Sequence, residues 1–156
     1  MVRPMNEAKK SKILCVDDEP PIREILYQVL TGEGYQVLTA GDGQEALAVA
    51  AKEQPDLILL DIMMPNLDGM ETCRRLRAQP TTHRPRVIIL TAYDMRERLE
   101  QAITAGADDF LGKPIDLTEL RIRVRSMLKV KDMVDEVDRL EAYIKSMKSL
   151  RAEPAH

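Results

Sequence analysis

The chain has 156 residues, 44% hydrophobic and 31% charged, which suits one domain with a sizeable core and room for an appendage. A net charge of −3 offers no bulk attraction to nucleic acid or an acidic membrane, and with no Trp and Phe110 as the single Phe there is no aromatic platform for stacking bases. Cys15 and Cys73 are too few for a metal site and read as buried, reduced thiols, while no stretch has the length of a signal peptide's apolar region or of a membrane span, so a cytoplasmic protein is expected.

Residues 1–11 are polar and read as a disordered lead. Lys12–Val16 is a short apolar strand ending in Asp17-Asp18-Glu19. Pro20-Pro21 then opens a helix, since Pro is tolerated in a first turn, and Ile22, Ile25, Leu26, Val29 and Leu30 recur at helical spacing until Gly32 and Gly34. Tyr35–Thr39 is a second strand, Gly41-Asp42-Gly43 a loop, and Ala46, Leu47, Val49 and Ala50 mark a second helix that ends before Pro55. Leu57–Leu60 is an unbroken apolar run between Pro55 and the Pro65–Gly69 turn cluster; it reads as a strand buried on both faces, with Asp61 at its carboxyl end.

Leu67, Met70, Cys73 and Leu76 give a third helix, and Gln79–Pro85 a polar loop. Arg86–Thr91 is a fourth strand ending in a hydroxyl; Leu99, Ala102 and Ile103 mark a fourth helix closed by Gly106; Asp108–Leu111 is a short fifth strand. Gly112-Lys113-Pro114 reads as a turn, followed by a long helix from about Asp116 to about Leu150. Asp108 and Asp109 read as surface charges, and the alternating Arg121, Arg123 and Arg125, spread around their helix, as solvated rather than as a nucleic-acid stripe. Five strands alternating with five helices predict an α/β, doubly wound, five-stranded parallel sheet with right-handed crossovers.

In such a sheet the carboxyl ends of the strands share one rim, and ligands bind just outside it. Here that rim gathers Asp17, Asp18, Asp61, Thr91 and Lys113. Three clustered carboxylates repel one another unless a cation joins them, and an all-oxygen donor set favours Mg²⁺ or Mn²⁺. Lys113 adds a point charge suited to a phosphoryl oxygen and Thr91 a hydroxyl, so the group matches the needs of an aspartyl phosphate. Plainer readings stand beside this one: Asp17-Asp18 as an N-cap before Pro20, Asp61 as a cap for the next helix, Thr91 bonded to backbone, Phe110 as static core, and Lys113 as a solvated loop lysine.

Val16-Asp17-Asp18-Glu19, Asp61-Ile62-Met63-Met64-Pro65 with Asp68-Gly69, Thr91-Ala92, and Gly106-Ala107-Asp108-Asp109-Phe110 through Lys113-Pro114 stand in one order. With these landmarks the chain resembles the receiver domains of bacterial two-component response regulators over about residues 11 to 128. The resemblance implies a flavodoxin-like strand order 2-1-3-4-5. It implies Asp61 as phosphoacceptor, and Mg²⁺ (or Mn²⁺) held by Asp18, Asp61 and the Met63 backbone carbonyl, with Asp17 acting through water. It further implies that Lys113 pairs with the phosphoryl group and precedes a cis bond to Pro114, that Thr91 and Phe110 form a switch pair, and that Met63 and Tyr93 flank the path of the dephosphorylating water. The implied donor is a sensor histidine kinase or phosphotransfer protein.

The expected organisation is a lead (1–11), a receiver (12–128), a helical coiled-coil extension (129–151) and a tail (152–156). The expected function is a phosphorylation switch that controls a partner or output domain, without an enzyme's turnover, nucleic-acid contact or membrane. A haloacid-dehalogenase-type phosphatase also uses an Asp nucleophile but needs a second carboxylate two residues later, where this chain has Met63. Two alternatives remain: a constitutive protein-binding adaptor, or the receiver piece of a larger regulator with a cyclic-dinucleotide enzyme output, since the tail resembles linkers leading to such enzymes. The roughly 28 residues past the receiver are too few for a winged helix or an enzyme domain.

In that extension Val130, Met133, Val137, Leu140, Ile144 and Met147 follow the spacing of a coiled-coil seam, with β-branched residues at a and Leu140 at d, as a parallel dimer prefers. Met127 to Val130 to Met133 interrupts the phase, and Glu136 faces Glu141 across the seam. An amphipathic helix folded back on the receiver is the competing arrangement.

Overall fold

The computed structural model describes residues 10–79, 84–92 and 99–151. Strands β1 (Lys12–Val16), β2 (Gln36–Ala40), β3 (Leu57–Asp61), β4 (Arg86–Ala92) and β5 (Asp109–Lys113) alternate with helices α1 (Pro20–Gly32), α2 (Gly43–Glu53), α3 (Gly69–Ala78), α4 (Leu99–Ala105) and α5 (Leu117–Arg151). All strand pairs are parallel and the order is β2-β1-β3-β4-β5, the flavodoxin-like arrangement.

The apolar runs form strands because each residue has a buried face to enter. Successive side chains point to opposite sides of a sheet. Leu14, Val16, Ile58, Leu60, Val87 and Ile89 accordingly join one core with residues of α2, α3 and α4, while Ile13, Cys15, Leu57, Leu59, Ile88 and Leu90 join another with α1 and α5. Both thiols are free and buried, and burial pushes Cys15 up to about 12 and Cys73 to about 11, which keeps them protonated and inert.

Short side chains set the helix starts. Asp42 accepts from the Glu45 N–H and Asp68 from the Glu71 N–H, each at 2.8 Å, while α1 starts on Pro20 without a side-chain cap. The largest departure from the sequence expectation is β5. It starts one residue later than expected and runs through Gly112 and Lys113, which pair with Thr91 and Ala92. Glycine and lysine carry no strand signal of their own; the exposed edge of β4 supplies the pairing. Ile25 and Ile103, placed on helical apolar spacing, are 46% and 59% exposed, because Leu26, Leu30, Ala102 and Ala105 take the core-facing positions of their helices.

α5 packs on the sheet through Leu120, Val124 and Leu128 and continues without a break to Arg151. No helix among the described residues is long and apolar enough to cross a membrane.

Candidate functional site

The carboxyl ends of β1, β3, β4 and β5 lie side by side by register: Val16 beside Leu60, Asp61 beside Leu90, Ala92 beside Lys113. Asp17, the residue after β1, is fully buried, and Asp61, the last residue of β3, is 3% exposed. Asp18 is exposed, and carboxylate oxygens of all three aspartates lie within 4.8 Å of one another.

Lys113 reaches into this group from β5. Its Nζ lies 2.8 Å from Asp17 Oδ2 and 3.2 Å from Asp61 Oδ2, with Glu19 more distant at 3.9 Å. Burial alone would lower the Lys113 ammonium, but the Asp17 hydrogen bond and the Asp61 charge outweigh it and leave Lys113 above its usual value. Asp61 is pushed up to about 6, first by burial and then by the Asp17 charge, against Lys113 and the Met63 N–H, which pull it down. Asp17 is held from three sides: its Oδ1 accepts from the Glu19 N–H at 3.0 Å, its Oδ2 from Lys113, and its carbonyl from Arg23 Nη1 at 2.6 Å. The role of Arg23 carried no signal in the sequence, since an arginine two positions into an apolar helical pattern reads as a surface residue.

The peptide bond from Lys113 to Pro114 is cis. Met63 lies beside Asp61, donating its N–H to Oδ1 at 3.2 Å while the residue stands 57% exposed. Gly69 closes the turn from β3 to α3. A Cβ there would stand 2.2 Å from the Asp61 carbonyl oxygen and 2.7 Å from Ile62 Cα, so only glycine lets the start of α3 fold against the strand end.

Thr91 is buried near the end of β4, with Oγ1 donating to the Ala92 carbonyl at 3.2 Å. Phe110 pairs in register with Ile89 and is half-buried against the core shared with α3 and α4. Thr91 and Phe110 therefore occupy neighbouring strands, two register positions apart. Tyr93 lies outside the described residues.

Two expectations need refinement. Asp108 is exposed, as expected, and Asp109 is half-buried, but both are partners in ion pairs. Asp108 receives Arg77 Nη2 at 2.7 Å and Arg86 Nη1 at 3.1 Å, and Asp109 receives Arg123 Nη1 at 2.9 Å. Arg121 and Arg123 keep 40% and 42% of their side chains exposed, as solvated residues do, and also pair with Glu33 after α1 and Asp109 of β5. Those partners are 14 to 88 positions away in the chain, so local sequence gave no sign of them.

A family model described as the response regulator receiver domain matches residues 13–125. The chain is 47% identical over 132 residues to response regulator PleD of Caulobacter vibrioides, covering 85% of this chain and 29% of that protein. It is 45% identical over 118 residues to response regulator MprA of Mycobacterium leprae, covering 76% of this chain and 51% of that one. The chain thus spans about half or less of the length of these relatives. Among solved structures it is similar to a response regulator from Chloroflexus aurantiacus (TM-score 0.73, 37% identity, 78% of this chain and 99% of that one). It is also similar to the chemotaxis protein CheY4 of Vibrio cholerae (TM-score 0.72, 33% identity, 76% and 99%). With the match running from β1 well into α5, and relatives this similar over most of its length, the chain belongs to the response regulator receiver domain family.

Proposed function

We propose that the chain is a phosphorylation switch in which Asp61 accepts a phosphoryl group from a histidine of a sensor kinase or phosphotransfer protein. The observation that carries this reading is Lys113 set between Asp17 and Asp61 at hydrogen-bond distance, in a cluster of three carboxylates. At pH 7 a carboxyl group titrating at about 6 is about nine-tenths ionised, so Asp61 remains a nucleophile despite its burial. One Asp61 oxygen attacks phosphorus, the P–N bond breaks, and the imidazole leaves with the electron pair. The Lys113 ammonium then has a phosphoryl oxygen to pair with in place of the carboxylate charge.

The donor set fits a hard divalent cation: all ligand atoms are carboxylate or carbonyl oxygens, and Asp61 is raised by burial and then by the charge of Asp17, both of which a cation would offset. Asp18, Asp61 and the Met63 carbonyl would hold Mg²⁺ or Mn²⁺, with Asp17 acting through water. Such an ion supplies charge neutralisation for the incoming phosphoryl group. Thr91 and Phe110 form the switch, and the receiver, residues 12–128, passes the change to the helical extension beyond it.

Residues 129–151 serve as a dimer stem. Taking about 100° per residue, Val130, Met133, Val137, Leu140, Ile144 and Met147 centre on the face of α5 roughly opposite Leu120, Val124 and Leu128, which pack on the receiver. Met133, Val137, Leu140 and Ile144 are 50–67% exposed along one unbroken helix, which supports a stem over the folded-back arrangement. A second copy in parallel is the occupant that covers such a seam without clashing with the receiver. Glu136 pairs with Arg139 on its own helix, which offsets its repulsion from Glu141. The chain acts in the cytoplasm, through protein partners and not by contact with DNA.

Labelling with acetyl [³²P]phosphate in Mg²⁺ tests the central claim. The wild-type chain should take up label at one site and Asp61→Asn should take up none. Equal labelling of both would refute the assignment, and no labelling of either would favour the constitutive adaptor. A second reading, the receiver piece of a larger regulator, is favoured by the share of PleD and MprA that the match leaves uncovered.

A further inference from the structure

On the rim opposite Asp61, the end of α3, the start of β4 and the turn from α4 into β5 enclose a cavity of about 480 Å³. Among the described residues that line it, Arg77, Arg84 and Arg86 stand against one carboxylate, Asp108. That carboxylate is already engaged: Oδ2 accepts from Arg77 at 2.7 Å and from the Val87 N–H at 2.8 Å, and Oδ1 from Arg86 at 3.1 Å. The other donors of Arg77 go to the carbonyls of Gly106 and Pro85, which satisfy N–H groups but carry no charge. Three guanidinium charges against one carboxylate leave a surplus of two. The end of α3 also faces this side, and its dipole opposes an anion, but it is equivalent to only about half a charge.

Arg86 also lines the cavity: its Nη1 goes to Asp108, and its guanidinium brings a second positive charge beside that of Arg77. Arg84 stands exposed at the mouth.

We propose that this cavity binds a small phosphorylated metabolite carrying a diphosphate group. A diphosphate ester brings two to three negative charges, which match the surplus, and several oxygens for planar guanidinium forks. The volume lies in the range of small-molecule pockets, which run from about 300 to 1,000 Å³, and is larger than a lone phosphate needs. Leu76 gives the lining an apolar side for the rest of the molecule. Gly106 and Asp108 lead directly into β5, so an occupant here touches the residues just before the strand that carries Phe110 and Lys113 to the opposite rim.

The test is calorimetric titration of the full chain with ADP in EDTA, with adenosine as control and ¹⁵N amide shifts as the positional readout. ADP should bind one per chain with a Kd below about 1 mM, adenosine should not bind, and the shifts should fall on Arg77, Gly106 and Asp108. Arg86→Lys keeps a cation beside Asp108 but removes the planar guanidinium fork, and Arg84→Ser leaves the Asp108 network in place. Each should weaken ADP by about fivefold or more. If Arg86→Lys fails to fold, Arg84→Ser carries the test. Absence of saturable binding, equal binding of adenosine, full binding by Arg84→Ser, or shifts at the Asp61 rim would each overturn the proposal.

Discussion

Asp61 combines the nucleophile's role proposed for it with a penalty for being charged. Its carboxyl group sits at about 6, above the usual 3.8, because burial and Asp17 disfavour the anion more than Lys113 favours it. A raised acid means the folded state holds the proton more tightly than the unfolded chain. The stabilising contribution is therefore complete below about pH 4 and is lost as pH rises through about 6. Asp61→Asn removes the charge. In EDTA, the variant should gain on the wild type as pH rises from 4.5 to 7.5, by on the order of 1–3 kcal/mol, read from urea unfolding. A gap that stays constant across that range would contradict the burial account. Met63 offers a kinetic test on the same rim. Its exposed thioether cannot orient a water for attack on the aspartyl phosphate. Met63→Asn should shorten the phosphoryl lifetime by a factor on the order of 3–10, about 1 kcal/mol of barrier, measured by loss of label; an unchanged or longer lifetime would argue against water orientation at this position.

At the level of elements, the site depends on the closeness of β3 and α3. Gly69 allows it, and the Gly69 N–H donates to the Ile62 carbonyl at 2.9 Å. Gly69→Ala places a methyl group against backbone that cannot yield as a side chain would. The expected loss is about 2–3 kcal/mol of stability, with weaker Mg²⁺ binding because Asp61 and Met63 are displaced together. A variant of wild-type stability and Mg²⁺ affinity would show that the turn can relax. The proposed switch is also a matter of elements. A phosphoryl group adds about two charges and strong acceptors beside the end of β4, which favours Thr91 turning toward it and Phe110 filling the space left. Phosphorylation only shifts a population already present. With beryllofluoride bound, amide shifts should spread from Thr91 and Phe110 to α4, β5 and the first turns of α5. Shifts confined to the rim would rule out this path.

For the molecule as a whole, the main question is what covers the far half of α5. The helix is about 50 Å long, and only its first third packs on the sheet. An isolated seam of this kind exposes apolar area that a second copy would bury. Sedimentation at tens of micromolar should find a dimer for the wild type and a monomer for Leu140→Asp, with acetyl phosphate labelling of Asp61 unchanged in both. A monomeric wild type would mean that the seam belongs to a different partner. The seam spans under three heptads and its phase slips at Val130, so a dimer in this range of concentration, and not a tighter one, is expected.

The sheet and its rim were legible in the residues because both rest on local regularities. A four-residue apolar run such as Leu57–Leu60, bounded by Pro55 and the turn residues Pro65–Gly69, reads as a strand covered on two faces with Asp61 at its end. The heptad spacing after Val130 is equally local, and so is its presence on one helix face. Pairings between distant positions were not legible. Lys113 between Asp17 and Asp61 joins residues 96 and 52 apart, and Arg77 meets Asp108 across 31. Asp108 and Asp109 look like any surface acids until β5 turns them toward guanidinium groups from α3, β4 and α5. Hydrophobic burial is set by each residue's own chemistry, whereas an ion pair depends on which other side chain the fold brings alongside. For the same reason the raised Asp61 and the arginine-lined cavity belong to the tertiary structure: each arises from the balance of charges and the exclusion of water that packing creates, neither of which a single residue carries.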